Sequence, residues 1–422
     1  MISSRTVLVP FCFFICTTIV LRQTFLVTYV NMLILTTFLI FAIPSRRFTY
    51  DFLNRSGVFV PFVFFLCFLL VEFISASFSI LPFKSFASVL KELVFFIVFI
   101  FLLSLLSKRK SNLDIFFVFL KYAVYFVIAS IIFEFFLLIV SSQYEASERL
   151  TGIYGNASAP GHFLAVAVPV LVAYSKNKNS QYPFVFVFLV YFALALTMSR
   201  SGLLGVTIAL VLLQTSSYSR LMIKMSIFAL ITILVIISLP ASFLDFFATV
   251  MRIENGLSGR DELWEVGAKV YNHSPLIGIG PSLFRYYFLQ SNNPLADVEI
   301  INNIINNYFA TGSYSGYPGS VFGGIIGNST HNLYFDVLVG SGALGLFFFL
   351  IFLGGLFYKI FKFSSLNKTC ILTRSSLAVF ISLLFRFNFE PNGLLKGGFS
   401  EVFVVWFVLF LPFVLKFYHK RG

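Results

Sequence analysis

Apolar runs of about twenty residues, each nearly free of charge, recur along the whole chain, and a helix needs such a run to cross a bilayer. With 59% hydrophobic and 11% charged residues among 422, the chain carries more apolar surface than a soluble core could hide. About twelve spans follow from that rule. They are Val7–Leu21, Thr24–Ile43, Val58–Ile74, Phe86–Leu106, Leu113–Val140, His162–Tyr174, Pro183–Thr197, Gly202–Leu213, Leu221–Leu239, Leu333–Tyr358, Ile371–Phe385 and Val402–Phe417. The runs are continuous rather than alternating, which excludes a closed β-barrel. The expected fold class is all-α, a polytopic membrane helix bundle. The first span lacks a small-residue cleavage site and reads as retained, not as a signal peptide.

A net charge of +13 would suit nucleic acid, but its distribution excludes that partner. The basic residues cluster on alternate loops: Arg46, Arg47 and Arg55; Lys108, Arg109 and Lys110; Lys176 and Lys178; Arg220 and Lys224; Lys359, Lys362 and Lys368; Lys416, Lys420 and Arg421. With twelve spans all of these fall on one side, cytoplasmic by the positive-inside rule, and both termini lie there too. The opposite face carries isolated basic residues, among them Arg149, Arg200, Arg252, Arg260, Lys269 and Arg285, which topology does not explain. The four cysteines fall in or beside spans, so no disulfide is implied, and no metal site has ligand spacing. Phosphate-binding loops, dinucleotide fingerprints and zinc-protease helices are absent from the sequence, and no cofactor is expected.

One integral membrane domain, 1–422, is the economical organisation. A long polar loop, 240–331, interrupts it between the ninth and tenth spans, on the face opposite the basic clusters. Within it Ser258 and Asp261 stand at the capping-box interval and Leu263, Val266 and Val270 follow at helical spacing, so a short helix should start near Gly259. The stretch LADVEIINNIINNYF pairs apolar residues every four positions and predicts a second, amphipathic helix. Thr311–Gly327, rich in Gly, Ser and Tyr, has no period and reads as a flap.

Three residues of this outer face carry the candidate chemistry. Arg200, in MSRSG, stands between two apolar segments, where a guanidinium costs roughly 2.5–3.5 kcal/mol at bilayer centre and less at the boundary. It either snorkels to the headgroups or binds an anion, and the hydroxyls of Ser199 and Ser201 beside it favour an oxyanion cradle. Arg260 falls at the predicted helix start, where unpaired N–H groups and the helix dipole favour a phosphate, although Asp261 and Glu262 are also there to pair with it. His331 closes the loop before a span, and an imidazole there can take a proton from a hydroxyl near neutral pH. Gly340, Gly342 and Gly345 permit close helix approach behind it. Arg149, before a Gly-rich turn, is a further cation for the cleft, whereas His162 and His273 read as turn or loop residues.

Taken together, Arg149 with Gly152 and Asn156, the SRSG turn, GRDELWEVGAKVYNHSPLIGIGPSLF and HNLYFDVLVGSGALGL resemble the bacterial O-antigen ligase and O-antigen polymerase superfamily over roughly Glu148–Phe349. The resemblance implies a GT-C-like, metal-independent, inverting glycosyltransferase in the bacterial inner membrane, with its active site on the periplasmic face. The donor it implies is a glycan on undecaprenyl diphosphate, and the acceptor is a lipid-linked repeat unit for a polymerase or lipid A-core for a ligase. Membrane lipids, a chain-length regulator and a flippase are the further partners implied. Carried over, Arg200 and Arg260 would hold the diphosphate, and His331 would orient or deprotonate the acceptor hydroxyl.

Two other readings stay open. An O-linked protein glycosyltransferase would share this design. A lipid-linked glycan transporter would need charges lining a mid-membrane path, for which Glu72, Glu92, Lys121 and Glu134 are scattered candidates.

Overall fold

The computed structural model describes residues 46–141, 150–154, 158–178, 184–214, 260–287, 329–366, 370–388, 390, 394–395 and 399–419. Among these residues every regular element is helical. The helices are α1 (Arg46–Ser56), α2 (Phe59–Ser77), α3 (Pro82–Leu106), α4 (Lys110–Val140), α5 (Ser158–Asn177), α6 (Phe184–Leu196), α7 (Arg200–Gln214), α8 (Arg260–Tyr271), α9 (Leu333–Leu366), α10 (Ile371–Arg386) and α11 (Phe399–His419), with a 3-10 turn at Gly152–Tyr154. Nine of the predicted spans coincide with α2–α7 and α9–α11. The spans predicted at 7–21, 24–43 and 221–239 lie outside the described residues, as do the LADVEIINNIINNYF helix and the 311–327 flap.

Among the described residues five helices are long and apolar enough to cross a membrane, namely α2, α3, α4, α5 and α9, and α6, α7 and α11 are shorter apolar helices. The chain is therefore a polytopic membrane helix bundle. Consecutive helices alternate in direction, which gathers Lys108–Lys110, Lys176, Lys178, Lys359, Lys362 and Lys416 at one end, the basic end. The turns at 78–81, 150–154 and 197–199, the start of α9 and the end of α10 lie at the other.

Phenylalanine builds the interior. Trp406 of α11 sits among Phe65, Phe96, Phe99 and Phe352, with ring centroids 5.1–5.7 Å away, and donates its indole N–H to the Leu394 carbonyl at 2.7 Å. Such ring pairs add packing energy beyond area burial, so α2, α3, α9 and α11 are clamped around one aromatic core. By contrast α4 faces outward, exposing Tyr122, Phe133, Phe136 and Val140, the surface expected toward lipid. Helix α5 is deeply enclosed, with every residue from Ser158 to Leu171 buried. It can lie there because Gly161 and Gly202 bring α5 and α7 into backbone contact, and Ser382 of α10 donates to the Gly205 carbonyl at 2.9 Å.

The glycines of α9 act differently from the expected helix crossing. Gly342 adopts φ 68° and ψ −173°, which breaks the helix inside the bundle. The break removes the two helical bonds that Ala343 and Leu344 would donate to Val339 and Gly340. The segment after α8 replaces them: Ala343 and Leu344 N–H donate to the Pro275 and Leu276 carbonyls at 2.8 and 3.1 Å. In return, Ile279 and Gly280 N–H donate to Val339 and Gly340 at 3.1 and 2.9 Å. Ser75 Oγ of α2 adds a bond to the Gly340 carbonyl at 2.9 Å. Irregular backbone survives at membrane depth only where protein satisfies it, and here the SPLIGIGPS and VGSGALG motifs satisfy each other.

Because that φ/ψ region is open essentially to glycine alone, Gly342→Ala should cost about 1–3 kcal/mol in strain, with a similar cost for the clash against the Leu276 carbonyl. The detergent-solubilised variant should melt well below wild type. Gly354→Ala in the same helix, with nothing within 4 Å of the added methyl group, should not. Equal melting curves would mean that the interlock contributes no stability.

Candidate active site

His331 occupies a backbone conformation that non-glycine residues rarely adopt, φ 57°, and the local sequence explains how it is held there. Asn332 caps α9 by accepting the Phe335 N–H on Oδ1 at 3.1 Å. One turn on, Asp336 reaches back to accept the Thr330 N–H at 2.7 Å, and His331 N–H donates to Ser329 Oγ at 3.0 Å. Two distant elements tighten the turn: Trp264 of α8 donates to the Thr330 carbonyl at 2.9 Å, and Leu333 N–H donates to the Phe387 carbonyl at 2.8 Å. Strain of this kind persists only where surroundings over-determine it, and it clusters at functional sites.

The imidazole faces a carboxylate that the sequence reading did not single out. Glu390 lies just past α10, its N–H bonded to the Arg386 carbonyl at 2.9 Å, and its side chain is almost fully buried. Its Oε2 is 3.9 Å from His331 Nδ1 and 3.5 Å from His162 Nε2. One carboxylate oxygen therefore stands between a histidine of α5 and a histidine of the turn before α9, at ion-pair rather than hydrogen-bond distance. His162, set aside above as a turn or loop residue, is on the second turn of the central helix and only 2% exposed. The fold places it there because its neighbour Gly161 packs directly on Ser199 and Gly202.

That packing also fixes the Arg200 turn. Met198 takes a left-handed conformation, φ 48°, and Ser199 caps α7 by accepting the Gly202 N–H on Oγ at 3.3 Å. The Ser199 hydroxyl is thus used within the fold, while Ser201 and Arg200 are half-buried on the first turn. Thr197 and Ser199, in the turn that carries Arg200, are buried.

Helix α8 begins at Arg260, as the capping signal predicts, although the Arg260 side chain is outside the described residues. Trp264, one turn later, docks on the turn that holds His331, and Gly267 lets α8 lie against Phe335. Arg149 and Asn156 are likewise outside the described residues. The residue after Arg149 is pinned to this end of the bundle by a Leu150 N–H bond to the Leu196 carbonyl at 3.2 Å. His273 is exposed, its ring 6.1 Å from that of Tyr287. Arg386, also missed above, is 2% exposed and lies against Gly205 of α7.

Glu134 has a structural task. Its carboxylate accepts the Thr151 and Gly152 N–H groups at 2.9 and 2.6 Å, tying the 150–154 turn to α4. Lys121 is exposed and lies over the Tyr125 ring. Neither arrangement describes a charged path through the bundle.

The structure thus joins His331, Glu390, His162 and the Ser199–Arg200 turn at one end of the bundle, with α8 docked beside them. No curated protein matches the chain. Residues 184–350, which carry Arg200, Arg260 and His331 but not His162 or Glu390, match the protein-family model described as O-antigen ligase, so that segment is similar to the O-antigen ligase family.

Proposed function

We propose that the protein is a metal-independent, inverting glycosyltransferase of the bacterial inner membrane. It moves a glycan from undecaprenyl diphosphate to a sugar hydroxyl on the periplasmic face. The observation that carries this reading is the shared carboxylate: Glu390 within 3.5 Å of His162 and 3.9 Å of His331, at the bundle end that also holds Arg200. The basic clusters at the other end support a cytoplasmic placement for it by the positive-inside rule.

In the proposed step the acceptor oxygen attacks the anomeric carbon and its proton passes to His331. The carbon–oxygen bond to the diphosphate breaks on the opposite face, and undecaprenyl diphosphate leaves with the electron pair. Glu390 orients the imidazole and offsets the positive charge that it gains, the task of a carboxylate behind a histidine base. Arg200 and Arg260 receive the negative charge that develops on the departing oxygens, where preorganised cations act most strongly.

Polymerase is the first reading and ligase the second, and they differ in acceptor only. Deletion of the gene separates them. Core carrying a single repeat marks a lost polymerase, whereas bare core with lipid-linked polymer accumulating marks a lost ligase; an unchanged glycan profile would remove both.

Glu390→Gln keeps the size of the side chain and removes its charge. Transfer should fall about 10²-fold, the lower part of what a positioned base contributes, with normal protein levels in the membrane. Wild-type transfer by this variant would leave the carboxylate without a part in the reaction.

A further inference from the structure

The turn that carries His331 is gripped from outside by α8, at the peptide whose plane sets the histidine's backbone angle. Rotation about the His331 N–Cα bond is measured from the Thr330–His331 peptide, and both polar ends of that peptide are occupied. Its N–H donates to Ser329 Oγ at 3.0 Å, within the turn, and its carbonyl accepts the indole N–H of Trp264 at 2.9 Å. Thr330 is 0% exposed, so its carbonyl is out of water's reach and depends on a protein donor. On the other side of the histidine the Asn332 carbonyl accepts the Asp336 N–H at 2.9 Å, and Leu333 N–H donates to Phe387 at 2.8 Å. His331 thus stands between two fixed stretches of backbone, and the direction of its side chain follows from them. The Trp264 bond differs from the others in its source: it comes from the helix that begins at Arg260, one turn or about 6 Å earlier.

Three successive points join α8 to α9. Trp264 meets Thr330, Gly267 packs on Phe335, and Pro275 and Leu276 accept the N–H groups of Ala343 and Leu344. The order is the same in both segments, so α8 and the first part of α9 run side by side in one direction and bring their N-termini to the same end. The approach is close, since a Cβ at Gly267 would fall 2.5 Å from the Phe335 ring, and Leu263 and Val270 bury the apolar face of α8. Bonded near the site by Trp264 and locked at the far end into the α9 break, the two helices form one rigid body.

Inverting transfer sets the base and the leaving-group cations on opposite sides of one carbon, and a displacement of about 1 Å can cost about 10²-fold in rate. We propose that Trp264 is a positioning residue that fixes this separation, tying the base to the helix of Arg260 through the Thr330–His331 peptide. It touches no substrate. Its contribution passes through His331 and leaves Arg200, on α7, to act independently. This rests on the transferase reading and deepens it.

The test uses the full-length protein in nanodiscs, given the lipid extract of a strain lacking the gene, which holds lipid-linked glycan and acceptor together. Trp264→Phe keeps an aromatic ring in the contact and removes the N–H. Its maximal rate should fall about 10- to 100-fold, while the extract concentration giving half that rate changes by no more than about twofold. Combined with His331→Asn, the same substitution should lower the residual rate by less than about twofold, and combined with Arg200→Lys it should show its full effect. Trp264→Leu, also without a donor, repeats the comparison should the phenylalanine variant reach the membrane poorly. An equal loss in the wild-type and His331→Asn backgrounds would make Trp264 a purely structural residue and overturn the inference. So would a raised half-saturating concentration at an unchanged maximal rate, which would place Trp264 in donor binding. A wild-type rate in Trp264→Phe beside an inactive His331→Ala removes the coupling and leaves the transferase reading standing, whereas a fully active His331→Ala removes both.

Discussion

His331→Ala should abolish surface-glycan transfer while the protein inserts at normal levels. A positioned base supplies about 10²- to 10⁴-fold in rate, and transfer reduced by that factor in a growing cell reads as absence on a glycan gel. The fold should survive, because the turn is held by backbone and neighbouring groups: Asp336 on Thr330 N–H, Trp264 on the Thr330 carbonyl, and Leu333 on Phe387. The substitution also leaves a left-handed backbone at an alanine, at about 1–2 kcal/mol, so membrane levels must be measured by immunoblot beside the gel. A His331→Asn control keeps a side chain tolerant of that conformation and still removes the base. If either variant at normal level makes wild-type glycan, proton transfer belongs elsewhere, and His162, which shares Glu390 with His331, becomes the first candidate.

Much of this site could be read from the chain, and what escaped did so for a definite reason. The spans follow from apolar length, and the start of α8 at Arg260 follows from local capping chemistry, because both signals lie within a few residues of what they determine. Glu390, just past α10, meets His162 of α5 and His331 of the turn before α9, and no periodicity states which helix ends converge. One signal was present: Glu390 is the single acid between Asp336 and Glu401, and a lone acid in an apolar stretch asks for a partner. The glycines near Gly342 misled for a related reason. Small residues allow either close helix crossing or a broken helix, and only a second motif able to supply the missing hydrogen bonds, here 275–280, decides between them.

Arg200→Ala and Arg260→Ala should each lower transfer by about 10²- to 10³-fold, the range seen when one group stabilising developing negative charge is removed. Lysine separates charge from geometry. It keeps the positive charge but loses the fork that binds two phosphate oxygens through parallel hydrogen bonds, so Arg200→Lys should recover part of the activity and no more. A misplaced point charge compensates poorly for a bidentate contact. Ser199 supplies an internal control, because its hydroxyl caps α7 and packs on Gly161. Ser199→Ala should therefore cost about 1 kcal/mol of stability with transfer largely kept, whereas Arg200→Ala should lose transfer with stability kept. Full rescue by lysine at Arg200 would reduce its role to bulk charge. Full activity in alanine variants at both arginines would leave the diphosphate without its proposed grip.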